Sequence, residues 1–394
     1  MKRVYWRPRR ISKGVLLFVG VVGMLGTLAI ESFPIERQSS CQTEKLAAAE
    51  LACRGMAAIR EARLQRGHEF DERFDPAGSG MIGEAMSAVT SLPSHLEAKQ
   101  TSVNPNFAAA VVEMLVDAGV EPGDVVAVGY TGSFPAFNVC VCAALETLDL
   151  QPLVIHSAAS SQFGANCSDM MWLDMERVLR ESGAISFRSC AGTLGGFGDR
   201  ARGMSDESQG LLRDSLWRNG VPLIEVASLQ ESIERRMEIY ASRAAGRPIK
   251  AYINVGGGAA SIHGARGREA FGAGLSKTFT SSGADVDCVA SRFASNGVPV
   301  IHVGNALQLA ERFGLPIAPG ELPGVGSGAV YAHAAPSRLL AGLLLAAIAL
   351  FLRTYLWTDV WLRIVSRMEA LRLGPLRLPI KVNDVRPTGA ELMV

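Results

Sequence analysis

Between residues 124 and 303 the chain repeats one pattern, a short apolar run followed by a longer amphipathic stretch. The runs are "DVVAVG" (124–129), "PLVIHS" (152–157), "AISFRS" (184–189), "VPLIEV" (221–226), "IKAYINV" (249–255) and "VPVIHV" (298–303). Such short, nearly continuous apolar runs suit strands buried on both faces. Stretches near 136–149, 168–182, 206–219, 228–245 and 305–313 carry helical spacing between them. The alternation predicts an α/β domain over 101–336, doubly wound, with a mostly parallel sheet. Ahead of it, alanine and leucine recur at helical spacing over 43–65, and the charged, Gly/Pro-bearing stretch 66–83 reads as a linker, within a helical and linker region of 31–100. Asn104 reads as a helix cap, with Pro105 at the first helical position.

The two ends break this pattern. "GVLLFVGVVGMLGTLAI" (14–30) has no charge and follows a basic segment, 1–13, that contains no acid. A helix rises about 1.5 Å per residue, so this run lies at the lower limit for crossing a hydrocarbon core of about 30 Å. A cleaved signal peptide is the competing reading, since Thr27-Leu28-Ala29 loosely matches a small-x-small site. The second run, "LLAGLLLAAIALFL" (339–352), extends through Arg353 toward Trp357 and Trp361, which gives an expected span of 337–361. The tail at 362–394 is again rich in arginine. Positive flanks stay inside, so both ends are expected in the cytoplasm and the main domain outside the cytoplasmic membrane.

Composition agrees that apolar residues are concentrated. The mean hydropathy of the 394 residues is +0.19 with 48% hydrophobic residues, high for a soluble chain. A net charge of +1 with 20% charged residues excludes a globally basic nucleic-acid binder. All seven cysteines fall between the two spans, where disulfides are permitted, but their odd number and the absence of CxxC leave no connectivity to assign. No histidine pair has zinc-site spacing, so no metal is expected.

Ligands of such sheets bind beyond the carboxyl ends of the strands, where four loops carry candidate chemistry. In "YTGSFPAFN" (130–138), Thr131, Gly132, Ser133 and Asn138 offer a tight turn with hydroxyl and amide donors before a helix whose first turn takes Pro135. Ser133 is the candidate nucleophile, although the surrounding residues depart from G-x-S-x-G, and a cap or ligand donor is the plainer role. After the run at 152–157 come Ser160, Ser161 and Asn166. With His156, Asp169 and Asp174 they outline a Ser/His/Asp set, against the plainer reading of a core histidine and helix-start acids. In "YINVGGGAASIHG" (252–264), Asn254, Gly256, Gly257, Gly258 and Ser261 could form a backbone nest for an anion. The fingerprint G-x-G-x-x-G and the P-loop both fail here, and nucleotides are scarce outside the membrane, so no cofactor is expected. A glycine-rich loop bearing Asp199, Arg200 and Arg202 is a candidate lid.

"NPNFAAAVVEMLVDAGVEPGDVVAVGYTGSFPAFN", "YINVGGGAASIHG" and an apolar segment at each end together resemble the bacterial poly-gamma-glutamate system protein family. The resemblance spans most of the chain and implies a process, synthesis and export of poly-gamma-glutamate beside other membrane proteins. It assigns no catalytic residue. The expectation is a membrane-anchored accessory protein that binds or guides the polymer or scaffolds its synthase. An amide hydrolase or transferase using Ser133 or a cysteine is the alternative, and a membrane-bound domain for a small metabolite is the second.

Overall fold

The computed structural model describes residues 13–33, 35–38, 41–277 and 286–357. The chain divides into two compact units, Arg37–His333 and the pair of terminal segments Met1–Glu36 with Ala334–Val394.

In the larger unit a six-stranded sheet is built from β1 (Val125–Thr131), β2 (Gln151–Ser157), β3 (Ala191–Thr193), β4 (Ile249–Val255), β5 (Gly274–Ser276) and β6 (Val300–Val303). Its order is β5-β6-β4-β1-β2-β3, and every pairing is parallel except β5 with β6. Residues on β1 alternate between two cores. Val126, Val128 and Tyr130 join one with α2 (Gln42–Gln65), α4 (Phe107–Asp117), α5 (Pro135–Thr147) and α6 (Trp172–Glu181), whereas Ala127 joins the other with α8 (Leu229–Ala244) and α11 (Val289–Ser295). Burial on both faces explains why these runs are continuously apolar. The chain winds outward from β1 through β2 to β3, then returns to place β4 on the other side of β1. Successive loops therefore diverge between β1 and β4, which opens a crevice at their carboxyl ends.

Two expected strands are absent. Residues 184–189 form no strand, because helix carboxylates take their backbone donors: Ser189 N–H bonds Glu176 at 2.8 Å and Ser186 N–H bonds Glu146 at 2.9 Å. Pairing with β2 begins only afterward, at Cys190 and Ala191. The run at 221–226 makes a single bridge, Leu223 to Gly192, since Pro222 lacks an N–H to continue a ladder. The antiparallel β5 was not expected. Nor does Asn104 cap α4. The helix starts at Phe107 after Asn106, whose backbone and side-chain N–H groups both bond Asn104 Oδ1, at 3.0 and 2.9 Å. The helix expected over 43–65 is α2, Gln42–Gln65. All seven cysteines are free thiols.

In the smaller unit, α1 (Lys13–Ser32) and α13 (Arg338–Trp357) are long and apolar enough to cross a membrane. The last part of the expected second span, 358–361, lies outside the described residues. The two helices touch at a glycine and at an aromatic pair. A Cβ on Gly26 would stand 2.6 Å from Leu344 Cδ2, and Phe18 meets Phe351 with ring centroids 5.5 Å apart.

Candidate functional site

A cavity of about 600 Å³ opens at the carboxyl ends of β1, β2 and β4. Its lining draws on loops that are far apart in sequence: Thr131, Ser133 and Phe134 at and after the end of β1, Ser157 and Ser161 at and after β2, Gly195 to Arg200 with Arg202 after β3, and Gly257, Gly258, His263 and Arg268 after β4. The register supplies a polar row, because Thr131 pairs with Ser157 and Ser157 with Thr193 on three adjacent strands.

Beneath that row lies an ion pair with almost no solvent contact. Arg236 Nη2 donates to Asp199 Oδ2 at 2.9 Å, to Ser157 Oγ at 2.9 Å and to Thr193 Oγ1 at 2.8 Å. Ser232 Oγ and Thr193 Oγ1 donate to the same carboxylate, at 2.5 and 2.9 Å. Burial alone would push the guanidinium's pKa down, but Asp199 beside it holds it above the usual value. Asp199 sits at φ 60 just after Gly198 at φ 67, so the glycine-rich loop turns the carboxylate inward. The loop read as a candidate lid is thus pinned at Asp199 and forms one wall of the cavity.

A second cation at the site is buried with no carboxylate partner among the described residues. Lys99, on α3 (Leu96–Ser102), is 1% exposed; its Nζ lies 2.8 Å from Ser161 Oγ, bonds the Ser133 carbonyl, and stands 3.9 Å from the Phe134 ring centroid. Burial lowers its pKa to about 7. Ser161 N–H donates to Ser133 Oγ at 3.1 Å, and Ser160 Oγ donates to the Gly132 carbonyl at 2.9 Å, which locks the two loops together.

The site residues expected from the sequence divide accordingly. Thr131, Ser133, Gly257 and Gly258 line the cavity. Gly132 and Ser160 are spent on that loop clasp. Asn138 is buried and donates to the Thr131 carbonyl at 2.9 Å, fixing the end of β1. Asn254 is buried between the Gly256 carbonyl at 2.7 Å and His302 Nδ1 at 2.9 Å. Gly256 adopts φ +85, and a Cβ there would lie 2.4 Å from Thr131 Oγ1. Its own N–H bonds Val303, so the expected nest keeps only Gly257 and Gly258 at the cavity. Ser261 is buried, and its hydroxyl crowds Gly129, whose Cβ would be 2.9 Å away. Ser133 does not cap α5; Phe134 holds that position.

The outlined Ser/His/Asp set does not assemble. Asp169 bonds His68 at 2.8 Å, Asp174 is held by Arg218 at 2.8 Å, and neither ring nitrogen of His156 has a hydrogen-bond partner. Burial, with the charge of Arg236, drives the His156 pKa to about 3. Cys140 and Cys142 lie buried on α5, with thiol pKa values pushed up by burial, which suits packing and opposes nucleophilic use.

Three cations face the cavity without an acid. Arg200, Arg202 and Arg268 are exposed and make no ion pair among the described residues, and Asp199, the lining acid, is already neutralised by Arg236. The Arg268 guanidinium approaches Gly257, where a Cβ would stand 2.9 Å from its Nη1. Lys99 and Arg236 carried no motif, although Arg236 falls on the buried stripe Ile233, Arg236 and Tyr240 of α8, where a charge is itself a signal. Among the described residues no three His, Cys, Asp or Glu side chains gather as a metal site. No family model matches this chain, no curated protein matches it, and no solved structure matches it.

Proposed function

We propose that the chain is a membrane-anchored accessory protein whose doubly wound α/β domain lies outside the cytoplasmic membrane and binds poly-gamma-glutamate. The observation that carries this reading is the cavity, where three guanidiniums without acid partners among the described residues stand beside serine hydroxyls and the Gly257-Gly258 turn. A polymer with a carboxylate on each unit supplies the missing counter-charges, and bidentate arginine bonds suit carboxylates. The basic flanks of the two apolar helices support cytoplasmic ends. The resemblance noted in the sequence supports the identity of the polymer and a place beside its synthesis and export proteins.

The test is calorimetric titration of the full-length chain in detergent with poly-gamma-glutamate, using poly-alpha-glutamate as the charge control. Selective binding is expected, weakened about tenfold or more by Arg268→Ala, the scale of one lost charge-assisted hydrogen bond. Equal binding of the two polymers, or none, overturns the reading.

A further inference from the structure

We propose that Ser161 is a nucleophile activated by Lys99, and that the cavity cleaves an amide or ester in a carboxylate-bearing chain. The substrate class rests on the reading above; the serine and its base stand on their own geometry.

Ser161 lines the cavity, while Lys99 lies behind it, shielded from solvent, with Nζ 2.8 Å from Ser161 Oγ. The other contacts of Nζ cannot take up its charge. The Ser133 carbonyl must accept an N–H, and the Phe134 ring is a weak partner. With no carboxylate beside it among the described residues, the ammonium gives up its proton at about neutral pH. A neutral amine that keeps one N–H on the Ser133 carbonyl can turn its lone pair toward the Ser161 hydroxyl. That is the arrangement of a serine paired with a lysine base. The Ser161 backbone is fixed by its N–H bond to Ser133 Oγ, so Ser133 positions the nucleophile. The positive end of the α5 dipole adjoins the same wall, beside Ser133 and Phe134.

Lys99 Nζ takes the Ser161 hydroxyl proton as Oγ bonds the carbonyl carbon. The carbon–nitrogen bond then breaks, and the proton passes from Lys99 to the departing amine, leaving an ester on Ser161. A water molecule attacks that ester and Lys99 accepts its proton; the bond between Oγ and the acyl carbon breaks, the new carboxylic acid departs, and Ser161 Oγ regains its proton from Lys99. Arg200, Arg202 and Arg268 would hold carboxylates of the flanking units.

The experiment treats the full-length chain in detergent with an alkyl fluorophosphonate. This probe reports an activated serine without requiring the natural substrate, because Oγ bonds phosphorus and fluoride leaves. Mass mapping should place the label on Ser161, with a rate that rises with pH and levels off above a midpoint near 7. Lys99→Met should slow labelling about 100-fold or more, the usual range for a general base. If that variant fails to fold, the wild-type pH profile decides instead, since a rate that climbs without a plateau overturns the role of Lys99. A label on Ser133, or no label on Ser161, overturns the proposal. Polymer binding and recovered polymer length are measured on the same wild-type sample. Binding without label or shortening removes the nucleophile and leaves the binding reading intact, whereas label on Ser161 without polymer binding keeps the nucleophile and removes the polymer.

Discussion

Lys99 and Arg236 are both buried cations within reach of one cavity, and their surroundings are opposite. Arg236 has a carboxylate and three hydroxyls from β2, β3 and α8. Lys99 has a hydroxyl, a carbonyl and an aromatic face. A buried charge with a well-bonded counter-ion stays charged and fastens the elements around it, whereas one without a counter-ion yields its proton. The β3 side of the site is therefore a fixed electrostatic clasp, and the α3 side holds a titrating amine. Arginine suits the first role because it does not deprotonate, and lysine suits the second because it does.

The largest effect that tests this contrast is expected at the clasp. Asp199→Ala leaves Arg236 buried without its counter-ion and should cost about 3–5 kcal/mol in urea unfolding, the range for breaking a buried pair from one side. A loss below about 1 kcal/mol would show that Arg236 does not depend on Asp199.

Next in size is the response to acid. Burial lowers the pKa values of His156 and His302, to about 3 and about 4, and the nearby charges of Arg236 and Arg268 add to it. An unfolded histidine titrates near 6.5, so below that pH the unfolded chain binds protons that the folded one refuses. The stability these neutral rings confer is complete above about 6.5 and is lost as pH falls toward 4 and then 3. For His302 the loss by pH 4 should approach about 3 kcal/mol. Denaturant midpoints at pH 7, 5.5 and 4 measure it, and His302→Gln should flatten the curve.

The smallest effect is expected at Lys99. Lys99→Met removes a charge that burial disfavours, which stabilises, and leaves the Ser133 carbonyl without its N–H, which costs about 1–3 kcal/mol; the two oppose, so the net loss at pH 7 should be smaller than that of Asp199→Ala. A loss as large as that of Asp199→Ala would erase the distinction between the two cations.

The fold was legible wherever burial on both faces imposes a continuous apolar run. β1, β2, β4 and β6 fall where the hydrophobic pattern puts them. It misled at 184–189, where an apolar look coincides with backbone donors that Glu146 and Glu176 take from other elements. Of the candidate site residues, Thr131, Ser133, Gly257 and Gly258 reach the cavity because loops at strand carboxyl ends must lie there. Gly132, Asn138, Ser160 and Asn254 have the same residue chemistry but spend it on neighbouring backbone or buried partners.

The sequence by itself determined the alternation of strands and helices, the two apolar terminal helices and the loops in which chemistry would be found, because each follows from local periodicity and composition. Only the tertiary structure decided which polar groups meet. Lys99 lies 62 positions from Ser161, and Asp199 lies 37 from Arg236. No local pattern encodes pairs so distant along the chain. Strand order and helix packing bring them together, and the presence or absence of a carboxylate at each meeting point sets which cation is fixed and which can give up its proton.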